Sequence, residues 1–85
     1  MKTYIAAALL TLSPLAAAAL PAVGDMIGTN PEEATKALEA AGCMSPVFEA
    51  EDGKIEAKCR DAESKKWEIY IDPTSGKVAK VKADD

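Results

Sequence analysis

Residues 67–78 read Trp-Glu-Ile-Tyr-Ile-Asp-Pro-Thr-Ser-Gly-Lys-Val, which is an alternating strand, a tight turn and the start of a second strand. The period of two between apolar and polar residues is typical of a β-strand with one buried face. In the turn, Asp72 can accept hydrogen bonds from backbone amides, Pro73 presets a backbone dihedral, and Gly76 suits the left-handed position that closes it. The stretch therefore predicts a β-hairpin near the end of the chain.

The same period of two predicts four strands in total. The two-residue turn Asp52-Gly53 and a three-residue turn at 62–64 set registers in which apolar residues face apolar residues across neighbouring strands. In the last strand, Val78 and Val81 are three positions apart, which predicts a bulge or a frayed end. The predicted strands are 47–51, 54–60, 67–72 and 77–82, and the predicted pairs are Ala50 with Ile55, Phe48 with Ala57, Ile69 with Ala57, and Trp67 with Cys59.

One helix is predicted before the strands. Asn30 can cap its first turn, Pro31 suits the first helical position, and Glu33 lies where a capping box places a glutamate. The helix is expected to reach about Ala41 and to end at Gly42. It needs a surface to pack on, because a helix of about three turns is marginal alone in water. Its predicted apolar stripe consists of Ala34, Ala37, Leu38 and Ala41.

The first residues have the pattern of a bacterial secretory signal peptide. Lys2 supplies the positive start, residues 4–12 are almost entirely apolar, and alanines precede the expected cleavage after Ala19. An uncleaved membrane anchor is the alternative. It is disfavoured because Ser13 and Pro14 interrupt an apolar run that is already short for a spanning helix. The expected product is periplasmic or secreted and meets the membrane only transiently, through the signal peptide.

The predicted organisation has a single small domain. Its lead-in segment is expected to dock on the core through Met26 and Ile27, the only bulky apolar pair just before the helix. The predicted parts are a signal peptide at 1–19, a lead-in segment at 20–29, a domain at 30–82 and a tail at 83–85.

Cys43 and Cys59 are the only two cysteines, and they predict one disulfide because an exported chain enters an oxidising compartment. The spacing is unlike a Cys-x-x-Cys redox pair. A zinc site would need two further ligands, and the sequence contains no histidine to supply them. The chain-entropy model gives a bridge of this loop length about 3 kcal/mol. The predicted fold is therefore α+β, with one helix packed on a four-stranded antiparallel β-meander in two layers and with one disulfide.

The stretch at 67–78 resembles the C-terminal signature of the PepSY family, in which an alternating strand is followed by Asp-Pro, a small-residue turn and Gly-Lys-Val. The order of elements upstream is similar as well, so the resemblance covers about residues 25–82. It implies a domain of the kind found in propeptides of secreted metallopeptidases and in cell-envelope proteins, with a proposed role in restraining peptidases. It transfers no catalytic residue, and the cysteine pair departs from typical members.

The composition argues against several classes of function. The chain has 85 residues, with 10 basic and 14 acidic ones, and the net charge of -4 disfavours nucleic-acid binding. The lack of histidine excludes a Ser-His-Asp triad. The turns lack the ligand spacing of a calcium loop, and no glycine-rich phosphate loop is present. We therefore expect a protein that is not an enzyme and has no cofactor and no metal.

The outer face of the predicted sheet is the candidate interface. Tyr70 is the one aromatic residue expected to point outward, whereas Trp67 is expected in the core. Its acidic residues Glu49, Glu51 and Glu56 are expected to be solvated and to need no role beyond solubility. Both edge strands are expected to be open. Three hypotheses follow: binding of a periplasmic or secreted protein such as a peptidase, sensing of a small ligand or metal, and passive envelope maintenance. The candidate interface residues are Tyr70, Val47, Lys58, Glu68 and Glu56, and the turn residues of the family motif are Asp72, Pro73 and Gly76.

Overall fold

The computed structural model describes residues 20–84, which form one helix followed by four strands. The strands make one antiparallel sheet in the order β1-β2-β3-β4, so the predicted α+β architecture is confirmed. The predicted signal peptide at 1–19 lies outside the described residues. Across residues 20–84, no helix has the length and apolar character needed to span a membrane. The elements are α1 (Pro31–Ala40), β1 (Met44–Glu51), β2 (Lys54–Arg60), β3 (Lys66–Ile71) and β4 (Val78–Ala83).

Helix α1 is capped at both ends as its sequence predicts. The Oδ1 atom of Asn30 accepts a hydrogen bond from the backbone N–H of Glu33 at 2.9 Å. Beyond the last turn, Gly42 has a φ of 95°, and the N–H of Cys43 donates to the carbonyl of Leu38 at 2.8 Å. These contacts form a Schellman motif at the end of the helix, and they place the buried Cys43 directly after it.

The first two hairpins have the predicted registers. Ala50 pairs with Ile55 and Phe48 with Ala57 across β1 and β2. Ala57 also pairs with Ile69 across β2 and β3, and the pairing of Cys59 with Trp67 is confirmed too. The register therefore places the apolar residues of the three strands on the face that α1 covers.

A bulge in β4 explains the irregular spacing of its valines. Tyr70 pairs with Lys80, whereas the next residue of β3, Ile71, pairs with Val78, so Ala79 is an extra residue. Without this extra residue, the two valines of β4 would point to opposite faces. The predicted bulge is confirmed, and Val78 is buried while the second valine packs against the core.

Strand β1 begins earlier than the prediction at residue 47. Met44 pairs with Arg60, and the register shifts by one residue before Val47. Ser45 in this interval has a φ of 52°, so an extra residue with a positive dihedral interrupts the pairing. The alternating pattern was too irregular there to predict a strand.

The predicted disulfide joins Cys43 to Cys59. Both cysteines are buried, and the bond ties the end of α1 to the inner face of β2. The fully buried core is small, as expected for a chain of this length. Its members are Ile27, Ala34, Leu38, Cys43, Ala57, Cys59, Ile69, Ile71 and Val78.

The lead-in segment lies along the start of β4. The N–H of Gly24 donates to the carbonyl of Val78 at 2.8 Å, and the N–H of Ile27 donates to the carbonyl of Gly76 at 2.7 Å. Ile27 is buried as predicted, but the prediction for Met26 was wrong, since it is 61% exposed. The two residues are adjacent in an extended segment, so their side chains point to opposite sides.

Candidate functional site

The outer face of the sheet, which we define as the face opposite α1, carries two rows of side chains across all four strands. The five candidate interface residues lie in these two neighbouring rows, so the structure brings them together. One row contains Glu49, Glu56, Tyr70 and Lys80, and the next contains Val47, Lys58, Glu68 and Lys82.

Tyr70 connects two glutamates of the outer face. Its hydroxyl oxygen is 2.9 Å from Oε1 of Glu68 and 3.2 Å from Oε2 of Glu56. A phenol has one proton, so it donates to one carboxylate at a time. The hydrogen bond to Glu68, followed by desolvation and the hydrogen bond to Glu56, raises the pKa of Tyr70 well above its usual range.

Glu56 differs from the solvated carboxylate that the sequence suggests. It is only 3% exposed, although it lies on the outer face. Its strand is central, and its neighbours in the row are Glu49 on one side and Tyr70 on the other. The alternation predicted its face correctly, but the expectation of solvation was wrong because flanking side chains on both sides cover it.

Lysines are distributed among these carboxylates. The ammonium of Lys80 lies 5.3 Å from the centre of the Tyr70 ring, and the ammonium of Lys82 is 3.7 Å from Oε1 of Glu68. The negative charge of Glu49, followed in size of effect by that of Glu56, raises the pKa of Lys58. Tyr70 is thus half-buried in a network of charged groups, which holds it in one orientation.

Three glutamates approach one another at the β1 side of the outer face. One carboxylate oxygen from each of Glu49, Glu51 and Glu56 lies within 4.8 Å of the others. Carboxylate oxygens are ligands for hard cations such as Ca²⁺. Lys58 lies in the neighbouring row of the same face, and the charges of Glu49 and Glu56 raise its pKa. The sequence predicted a shared face for the three glutamates but not how closely they approach.

A small apolar recess lies on the inner face, between the start of α1 and the end of the first hairpin. Its volume is about 210 Å³, and its walls include Pro31, Ala34, Phe48 and Ile55. The recess exists because the ten residues of α1 leave this end of the inner face uncovered.

The turn of the family motif has a structural role. Oδ1 of Asp72 accepts hydrogen bonds from the N–H groups of Thr74 at 2.8 Å and Ser75 at 3.0 Å, and these bonds lower its pKa. Gly76 has a φ of 76°, and a Cβ there would lie 2.9 Å from the carbonyl carbon of Gly28. Both residues therefore act as the sequence predicts, and Gly76 also leaves room for the lead-in segment.

A second aspartate organises the turn before β3. Oδ1 of Asp61 accepts hydrogen bonds from the N–H groups of Glu63 and Lys65, and Oδ2 accepts one from Nε1 of Trp67 at 2.9 Å. The bond from Trp67 is the main reason that the pKa of Asp61 is lowered. Trp67 packs against the core but is only half-buried, because its indole N–H reaches this aspartate.

Comparison with known families agrees with the hairpin signature. The model of the PepSY_2 family, described as peptidase propeptide and YPEB domain, matches residues 2–82. The chain belongs to this family. PepSY domains are generally non-catalytic modules related to peptidase propeptides, and they are typically found outside the cytoplasm. No significant match was found among curated proteins or among solved structures.

Proposed function

We propose that this PepSY protein is an exported, non-enzymatic module that binds a peptidase outside the cytoplasm and restrains it. The observation that carries the proposal is the family match over residues 2–82, because the family takes its description from peptidase propeptides. The signal-peptide pattern at 1–19 supports export to the periplasm or the medium. In that compartment, the module would meet secreted peptidases.

We propose the outer face as the surface that contacts the partner. Val47 offers an apolar contact at the β1 side, where it is 59% exposed. Beside it lies an ordered polar surface, which consists of Lys58, Glu68 and Tyr70 and the buried Glu56. An exposed apolar residue beside ordered polar groups is a common composition for a protein interface.

The test begins with affinity capture by the protein from its own periplasm, with the captured proteins identified by mass spectrometry. A captured peptidase is then assayed with and without added PepSY protein, and we expect its activity to fall in proportion to complex formation. Recovery of no specific protein, or of a peptidase whose activity is unchanged, would contradict the proposed function.

Two variants test the outer face in the same capture. Val47→Asp should lose the partner, whereas Val23→Asp is a matched control because Val23 is 66% exposed and lies off the sheet. Tyr70→Ala should also weaken capture. Retention of every partner by both outer-face variants would mean that the partner binds elsewhere.

Metal sensing is the competing hypothesis, and the approach of Glu49, Glu51 and Glu56 is its single supporting observation. We do not propose a metal site there, because Lys58 lies on the same face in the row next to Glu49 and Glu56 and competes as a cation for their charge. Titration calorimetry with Ca²⁺ discriminates the two hypotheses. Measurable heat that disappears in Glu51→Gln would favour sensing over peptidase binding.

A further inference from the structure

The two edges of the sheet are protected unequally. Along β4, the lead-in segment covers the first residues, with the N–H of Val78 donating to the carbonyl of Asp25 at 2.9 Å. Within residues 20–84, β1 has a neighbouring strand on one side only. An uncovered edge presents unpaired backbone N–H and C=O groups, which can pair with an additional strand.

The outer side of the β1 edge is acidic. Glu49 and Glu51 are both exposed there, and the carboxylate of Glu56 lies close behind them. At the opposite edge, Lys80 lies in the same row of the outer face as Glu49, and Lys82 lies in the next row. A strand added at β1 would therefore place its outward side chains next to carboxylates, and basic side chains would match them.

The inner side of the same edge is apolar. Phe48 faces inward from β1 and forms part of the wall of the apolar recess, together with Ile55, Ala34 and Pro31. The recess of about 210 Å³ is large enough for an aliphatic side chain. Because side chains alternate along a strand, one added strand would direct basic residues to the outer side and apolar residues to the recess.

We propose that β1 binds an extended segment of a partner protein as a fifth strand, and that this segment alternates basic and apolar residues. The inference rests on the proposed function in that it assumes a protein partner, and it specifies the chemistry of the segment. A second copy of the chain is a poorer occupant. If two antiparallel β1 strands pair about Glu49 or Ala50 with their outer faces on the same side, glutamates lie opposite glutamates.

The test uses a capped peptide of alternating lysine and valine, eight residues long so that it extends past the regularly paired residues Val47 to Glu51 of β1. The protein, purified after expression of the full chain and labelled with ¹⁵N, is titrated with this peptide by NMR. We expect shift changes and slowed amide exchange in β1, and weaker binding at higher salt. A peptide of alternating glutamate and valine, and one with proline at its centre, should not bind.

A pair of charge-reversal variants provides the control. Glu49→Lys/Glu51→Lys should bind the lysine–valine peptide about tenfold more weakly, since each opposite-charge cross-strand pair contributes up to about fivefold. Glu39→Lys/Glu63→Lys makes the same change in net charge at exposed positions off the sheet and should bind normally. Both variants must retain the wild-type pattern of dispersed amide signals.

Three results would overturn the inference: shift changes confined to β2, β3 or β4, equal binding of the glutamate–valine peptide, or self-association of the protein that protects β1. The inference and the proposed function fail separately. If a captured peptidase is restrained equally by wild type and Glu49→Lys/Glu51→Lys, the function stands and the β1 site fails. If the peptide binds β1 but no peptidase is captured, the β1 site stands and the function fails.

Discussion

Replacing both cysteines with alanine tests how far the stability of the domain depends on the bridge between α1 and β2. The bond joins residues 16 positions apart, one just beyond α1 and the other on the inner face of β2. Helix α1 fully buries only Ala34 and Leu38. The covalent bond is therefore a large part of what holds the helix on the sheet.

The magnitude follows from the loop length and the size of the domain. Closing a loop of about 15 residues stabilises the folded state by about 3 kcal/mol in the chain-entropy model. For a domain of this size, each 1 kcal/mol changes Tm by about 4–8 °C. We therefore expect Cys43→Ala/Cys59→Ala to lower Tm by roughly 12–24 °C.

Thermal melts followed by circular dichroism measure this change. The wild type with reductant should approach the Tm of the double variant, and reductant should leave the double variant unchanged. Hydrogen exchange adds a local measurement. Since the bond holds α1, the amides of α1 should exchange faster in the variant by a larger factor than those of β2 and β3, which remain paired on both sides.

Two results would refute this reasoning. A Tm that falls by less than about 5 °C would mean that packing alone holds α1, because it corresponds to only about 1 kcal/mol. Equal acceleration of exchange in helix and sheet would mean that α1 and the sheet unfold as one unit, so the bond would have no special role at the helix.

Three further changes test other contacts. Tyr70→Phe removes the hydroxyl group that hydrogen-bonds to two glutamates and should lower Tm at neutral pH. The folded pKa of Tyr70 is raised above its unfolded value of about 10, so the wild type should lose stability as the pH rises past about 10. In melts between about pH 8 and 11, the variant should show a smaller loss. Gly76→Ala places a Cβ against the backbone of Gly28 at a positive φ and should destabilise the domain by more than about 1 kcal/mol in urea unfolding. Asp61→Asn should reduce the loss of stability that the wild type shows on acidification. The lowered pKa of Asp61 contributes stability above about pH 4, and this contribution is lost as the pH falls through the folded pKa. The fluorescence of Trp67 reports unfolding at each pH.

The sequence predicted those parts of the fold that depend on local rules. The capping residues around α1 determine where the helix begins and ends, and the lengths of the two turns determine which residues pair across β1, β2 and β3. The register predicted that Cys59 shares a face with the apolar residues, which needs only the pairing across one hairpin. The disulfide was predicted from the cysteine count together with the predicted export of the chain.

The remaining features depend on several strands at once. Glu56 is buried because side chains from β1 and β3 cover it from both sides, which no single hairpin reveals. The exposure of Met26 depends on how the lead-in segment lies along β4. The apolar recess forms because the short helix α1 leaves one end of the inner face of the sheet uncovered. For part of the candidate site, the sequence therefore predicted only that the residues share one face of the sheet and not how they contact one another.

The bulge at Ala79 links the fold to the proposed binding edge. Without the extra residue, Tyr70 would pair with Ala79 and Lys80 would point to the core. With it, Lys80 and Lys82 lie on the outer face, where they join the lead-in segment in protecting the β4 edge against further pairing. Among residues 20–84, no strand lies beyond β1, whose alternating glutamates and apolar residues pair regularly from Val47 to Glu51. A domain that protects one edge more fully than the other is better suited to binding one strand than to assembling through both edges.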